Sequence, residues 1–195
     1  DNVICFEPHP MIFKILKFNT ENQKNIEIFN LGVSENSSLM YQSKKFHNNF
    51  TAPLKEKSGE NDYEIKTVSI DNFLKPEYFD LINLINITVD GSELEVLKGM
   101  DNLLNKNNIE ILMIEADTLN RINQTSEFLK LKNFKYIYVI KESFEKNNNN
   151  FLKIIFEKIF NKNRIFKFQL EENLDNKINF KFNKNILFSK KELFF

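Results

Sequence analysis

The 195 residues suffice for one domain with a real core, and 42% hydrophobic with 28% charged residues is ordinary for a globular chain. The net charge of zero is unevenly placed: residues 1–150 carry 17 basic and 22 acidic side chains, residues 151–195 carry 10 and 5. An acidic first part argues against a nucleic-acid partner, while the basic tail leaves room for an anionic one. The lone Cys5 lies in an apolar run, so it reads as a core residue in a reducing, cytoplasmic setting and offers neither an internal disulfide nor a thiolate metal site. No apolar stretch reaches the roughly 18 residues of a membrane span.

In chain order, Val3 to Phe6 is an apolar run stopped by Glu7-Pro8-His9-Pro10. Pro10 suits the first turn of a helix, and Ile12, Ile15 and Leu16 then recur at helical spacing. Ile26 to Leu31 reads as the next strand, ending near Gly32. Residues 39–68 read as a β/loop insertion, with strand-forming stretches at Leu39–Gln42 and Tyr63–Ile70 around a polar segment. Ile70 to Leu74 predicts a short helix capped by Ser69 or Asp71.

The long apolar run Tyr78 to Val89 predicts a central strand buried on both faces. Gly91-Ser92-Glu93 then starts a helix striped by Leu94, Leu97, Met100 and Leu104. Ile109 to Ile114 predicts another buried strand, followed by a helix around Ile122 to Leu131 and a strand at Tyr136–Ile140. Residues 141–184 form a basic region rich in Phe, Asn and Lys, within which 151–162 has the periodicity of an amphipathic helix. Ile186-Leu187-Phe188 reads as a last strand. This alternation predicts a single α/β domain over 1–195 with a mostly parallel sheet, and ligands bind such sheets just past the carboxyl ends of the strands.

Acidic residues sit just past three of those strand ends. Glu7 could accept hydrogen bonds from both hydroxyls of a bound ribose, or it could stabilise the start of the following helix. Asp90 and Glu93 flank Gly91, which allows a tight strand-to-helix turn. Either acid could orient or deprotonate an acceptor hydroxyl, or both could serve the helix N-terminus. Glu115 is a third candidate base, and His9 a weaker one. Two distant histidines, His9 and His47, make no metal site. The 151–167 segment, with Lys153, Lys158, Lys162, Arg164 and Lys167, could lie on an anionic membrane surface or pack onto the sheet.

Four segments follow one another in a recognisable order: Phe6-Glu7-Pro8-His9-Pro10, Asn30-Leu31-Gly32-Val33-Ser34, Val68-Ser69-Ile70-Asp71-Asn72-Phe73, and Ile87 to Met100. Together they resemble the FkbM-type methyltransferases from residue 2 to about 140. The resemblance implies a Rossmann-like class I methyltransferase sheet and S-adenosylmethionine-dependent O-methylation of a hydroxyl on a sugar, glycan or small metabolite. It implies that Glu7, with Pro8, holds the cofactor's ribose, that Asn30, Leu31 and Gly32 lie beside the adenine, and that Thr88 to Glu93, including Gly91, border the methyl-transfer site. Typical members read Lys-Ile-Asp-Val-Glu-Gly-Ala-Glu where this chain has Asn86-Ile87-Thr88-Val89-Asp90-Gly91-Ser92-Glu93. The lysine and first aspartate are thus replaced by Asn86 and Thr88. The family's first strand and glycine-rich loop would lie before Asp1, leaving a methyltransferase domain incomplete at its start. A related but non-catalytic fold that docks on a membrane or protein through the basic C-terminal region is the alternative.

Overall fold

The computed structural model describes residues 2–43, 62–106, 109, 111–116, 118–140, 165–169 and 184–191. They fall into two compact units, Asp1–Pro76 with Glu95–Leu103, and Glu77–Leu94 with Leu104–Phe195.

The first unit opens with β1 (Val3–Phe6), α1 (Pro10–Thr20) and β2 (Ile26–Phe29), and β1 pairs β2 in parallel from Val3↔Ile26 to Phe6↔Phe29. A parallel pair requires a crossover, and α1 supplies it. His9 caps α1: its Nδ1 accepts the Met11 N–H at 3.2 Å, and Pro10 takes the first turn, where no amide partner is needed. Phe6, Phe29 and Phe73 form an aromatic cluster with centroids 4.8–5.6 Å apart, a geometry that adds to their burial.

The two strand-forming stretches of the insertion pair antiparallel. β4 (Leu39–Ser43) pairs β5 (Asp62–Val68) from Leu39↔Lys66 to Ser43↔Asp62, and β5 also pairs the short β3 (Gly32–Val33) in parallel. In β5 Ile65 and Thr67 are buried while Glu64 and Lys66 are exposed, the period of two expected of a one-sided strand. The Thr67 hydroxyl ties this strand to the chain before β4, meeting Ser38 N at 3.0 Å.

α2 (Ile70–Phe73) starts after Ser69, whose side chain makes no cap bond. The Asp71 carboxylate instead accepts the N–H groups of Asn102 at 2.7 Å and Leu103 at 3.0 Å, capping the short α4 (Asp101–Leu104). The predicted helical stripe after Gly91 is broken in two, α3 (Glu93–Lys98) and α4, by a turn at Gly99-Met100. A Cβ on Gly99 would stand 2.0 Å from the Ser34 carbonyl oxygen, so glycine is what lets those two backbones meet.

The second unit carries a five-stranded sheet in the order β6 (Leu84–Ile87), β7 (Ile111–Ala116), β10 (Lys184–Ser189), β8 (Tyr136–Ile140), β9 (Ile165–Gln169). β6 and β7 are parallel, while β10 runs antiparallel to both β7 and β8, and β9 antiparallel to β8. Across the described residues three pairings are parallel and four antiparallel. The fold is therefore α/β with mixed sheets, where the alternation predicts a mostly parallel one. Antiparallel pairing comes from strands after residue 130 and from the insertion, regions whose sequence carries no direction signal.

Leu112, Ile114, Ile137, Ile186 and Phe188 are fully buried, and on α5 (Leu119–Lys130) so are Ile122 and Leu129. Asn133 adopts φ 64° as α5 ends, with Phe134 N–H reaching the Leu129 carbonyl at 3.2 Å, a left-handed helix stop that asparagine tolerates. The Lys190 ammonium donates to the carbonyls of Leu104, at 2.7 Å, and Lys106, and lies over the Phe134 ring. Burial, with the Lys132 charge second, pushes its pKa down.

Two expectations are corrected. The run Tyr78–Val89 is not one buried strand: Pro76–Leu81 is a 3-10 turn, the strand is only Leu84–Ile87, and Leu84 is 57% exposed. A proline at the head and apolar residues three apart, Phe79 and Ile82, favour a turn that strand-like composition hides. Strand β9 was not expected, because Ile165 to Gln169 lies within a basic tail; the helix predicted over 151–162 lies outside the described residues. Among the described residues no helix is long and apolar enough to cross a membrane.

Candidate functional site

In the first unit the chain leaves β1 at Glu7, whose N–H donates to Phe29 O at 3.0 Å and so extends the β1–β2 pairing. The half-buried carboxylate folds back on the next turn, and Oε1 accepts the His9 N–H at 2.7 Å. Burial raises the pKa of Glu7, and the His9 amide only partly opposes this. Asn30, one residue past β2, donates from Nδ2 to the carbonyls of Glu7 at 2.9 Å and Pro8 at 3.0 Å. Glu7, Pro8 and Asn30 are thus one hydrogen-bonded group, in which the Asn30 amide clamps the loop after β1. Leu31 is half-buried and Gly32 buried, where β3 joins β5. His9 is buried against the Tyr63 ring, at 4.9 Å between centroids, and its pKa is lowered by burial. It serves as a helix cap.

In the second unit β6 ends at Ile87, Thr88 is exposed, and the chain turns through Gly91 at φ +93° into α3. That φ belongs to glycine. Glu93, the first residue of α3, is 2% exposed, and its Oε1 accepts the Gly91 N–H at 3.1 Å. The turn is closed by its own glutamate.

Arg121 completes this group, and nothing in the sequence reading selects it. It lies in the first turn of α5, whose N-cap Thr118 accepts the Arg121 N–H at 3.4 Å. Its guanidinium reaches back over the turn: Nη1 stands 3.6 Å from Asp90 Oδ1 and 4.0 Å from Glu93 Oε1. A Cβ on Gly91 would be 2.7 Å from Nη2, so the guanidinium occupies the space that glycine leaves. The available signal was a cation in a helix's first turn, where the dipole disfavours it.

The two acids differ in access. The Asp90 side chain is 40% exposed and that of Glu93 is 3%. Glu115 lies on β7, opposite Asn185 of β10, and is not part of the Asp90–Glu93 turn. Nor do the described residues contain a cluster of three His, Cys, Asp or Glu side chains able to hold a metal ion.

These features define an α/β protein with acidic and amide side chains at the carboxyl ends of β1 and β2 in the first unit and, separately, of β6 in the second. Residues 1–138 match the family description Methyltransferase FkbM domain, and the chain belongs to that family. It is 33% identical over 117 residues to the hexuronic acid methyltransferase AglP of Haloferax volcanii, an overlap of 59% of this chain and 48% of AglP. The chain therefore spans about half the length of that relative. Its fold is similar to the crystal structure of methyltransferase FkbM from Methylobacillus flagellatus, with a TM-score of 0.57 and 13% identity over 96% of this chain and 36% of that one.

Proposed function

We infer that this chain belongs to an S-adenosylmethionine-dependent O-methyltransferase acting on a hydroxyl of a sugar or glycan. The observation that carries the reading is Glu7 in an FkbM-family chain: a half-buried carboxylate at the end of β1, with Oε1 engaged by His9 and no partner on Oε2 among the described residues. A buried carboxylate raised in pKa is costly, and such cost marks a group kept for a ligand. The residues fit the cofactor in this respect, since Oε2 can accept from a ribose hydroxyl while Oε1 remains fixed. The Asn30 amide, spent on Glu7 O and Pro8 O, holds the loop rather than offering its NH2 to an adenine.

S-adenosylmethionine supplies a methyl group already activated by its sulfonium, so positioning dominates what the protein must contribute. Of the candidate bases, Asp90 has the exposure to meet an acceptor hydroxyl and take its proton as the new oxygen–carbon bond forms. Glu93 is committed to the Gly91 amide and keeps the turn closed. A sugar acceptor is supported by the hexuronic acid named for AglP.

The test is calorimetric titration of S-adenosylmethionine and its demethylated product into the full-length protein. Saturable binding of both at one site per chain is expected. No binding of either would favour the non-catalytic alternative.

A further inference from the structure

Three locally unfavourable features meet at one place in the second unit. Gly91 takes a left-handed φ, Glu93 buries a carboxylate to 2% exposure, and Arg121 puts a cation in the first turn of α5, which contains no acidic residue. Each conflicts with local preference. Together they are consistent, because the guanidinium fills the space over Gly91 and faces both carboxylates. Local conflicts resolved only by one another are expected where function, rather than stability, selects the residues.

Resting on the reading of Asp90 as the proton acceptor, we propose that Arg121 is a positioning residue for methyl transfer: it holds the Asp90 carboxylate in place at the end of β6. Asp90 is the more exposed of the two acids, so it is the one that needs an external hold. Glu93 is already fixed by the Gly91 amide. The guanidinium is a planar, permanently charged fork, and it reaches Asp90 and Glu93 from the same nitrogen. A lysine ammonium on a flexible stem has one point of charge and defines direction less well. Arg121 acts through Asp90 and takes no proton itself.

The experiment is a double-mutant cycle in the full-length protein, with kcat, acceptor KM, cofactor Kd and thermal midpoint measured for Asp90→Asn, Arg121→Gln, Arg121→Lys and the Asp90→Asn/Arg121→Gln pair. Leu129→Ala serves as a control that destabilises α5 at its buried last turn, leaving the turn that carries Arg121 in place. Arg121→Gln should lower kcat about 10- to 100-fold, the scale of misplacing a reacting group, with cofactor Kd unchanged and partial recovery in Arg121→Lys. In the Asp90→Asn background, Arg121→Gln should cost nothing further. Losses that multiply in the double variant, or an equal kcat loss in Leu129→Ala, would overturn the role of Arg121 while leaving Asp90 as base. Full kcat in Asp90→Asn would overturn the base assignment itself, and the role of Arg121 with it.

Discussion

Glu7 separates ligand binding from folding in a single substitution. Replacing it by Gln keeps the side-chain length and an oxygen able to accept the His9 N–H now met at 2.7 Å, but removes the charge. Burial raises the folded pKa of Glu7 above its ordinary 4.5, so the folded chain holds this proton more tightly than the unfolded chain does. The protonated form's advantage is fully present below pH 4.5 and is lost as pH rises through the folded value, leaving an ionised carboxylate at pH 7 that opposes folding. Glu7→Gln should therefore match or exceed the parent's thermal midpoint at pH 7, and any gain should fade below pH 4.5. Loss of a charged acceptor to a ribose hydroxyl should cost about 1–3 kcal/mol, or about 5- to 150-fold in cofactor affinity. The assay pairs thermal unfolding across pH with calorimetric titration of the full-length protein. A lower midpoint at pH 7 together with unchanged cofactor affinity would refute the reasoning, because Glu7 would then be a structural cap only.

Three further outcomes follow from individual contacts. Gly91→Ala places a Cβ 2.7 Å from Arg121 Nη2 at φ +93°, so it should cost about 1–2 kcal/mol of stability and reproduce the kcat deficit of Arg121→Gln; unfolding and steady-state kinetics check both. Gly99→Ala drives a Cβ to 2.0 Å from Ser34 O, an overpacking worth about 1–3 kcal/mol, read as a fall of about 2–4 °C in thermal midpoint per kcal/mol. Burial lowers the His9 pKa below 6.5, so the neutral cap's contribution is present above pH 6.5 and is lost as pH falls toward the folded value. His9→Asn, a cap that does not titrate in that range, should flatten this limb of the stability profile in pH-dependent denaturant titrations.

Much of the fold was legible because its signals are local. Pro10 followed by Ile12, Ile15 and Leu16 marks α1, which occupies Pro10–Thr20. The strand-forming stretch Tyr63–Ile70 and the apolar run Ile109–Ile114 largely coincide with β5 (Asp62–Val68) and β7 (Ile111–Ala116). What escaped was set by partners distant in sequence. Asp71 reads as a cap for its own helix, yet its carboxylate serves amides 31 and 32 residues on. Arg121 is silent beside its neighbours and acquires meaning only over Gly91. The directions of β9 and β10 depend on chain paths that periodicity does not encode. Glu7, Asp90 and Glu93 could be singled out because strand-end chemistry is positional. Their division of labour, an exposed Asp90 and a buried, amide-bound Glu93, needed burial and distances to see.

The most direct measurement is methyl transfer from isotopically labelled S-adenosylmethionine by the full-length protein to neutral hexoses, free hexuronic acids and hexuronic acid glycosides, with the methylated atom located by NMR. The account predicts label on a sugar hydroxyl oxygen and none in the Asp90→Asn protein beyond a small residue. Label on a nitrogen or carbon acceptor, or no transfer to any sugar by a protein that binds the cofactor, would contradict it.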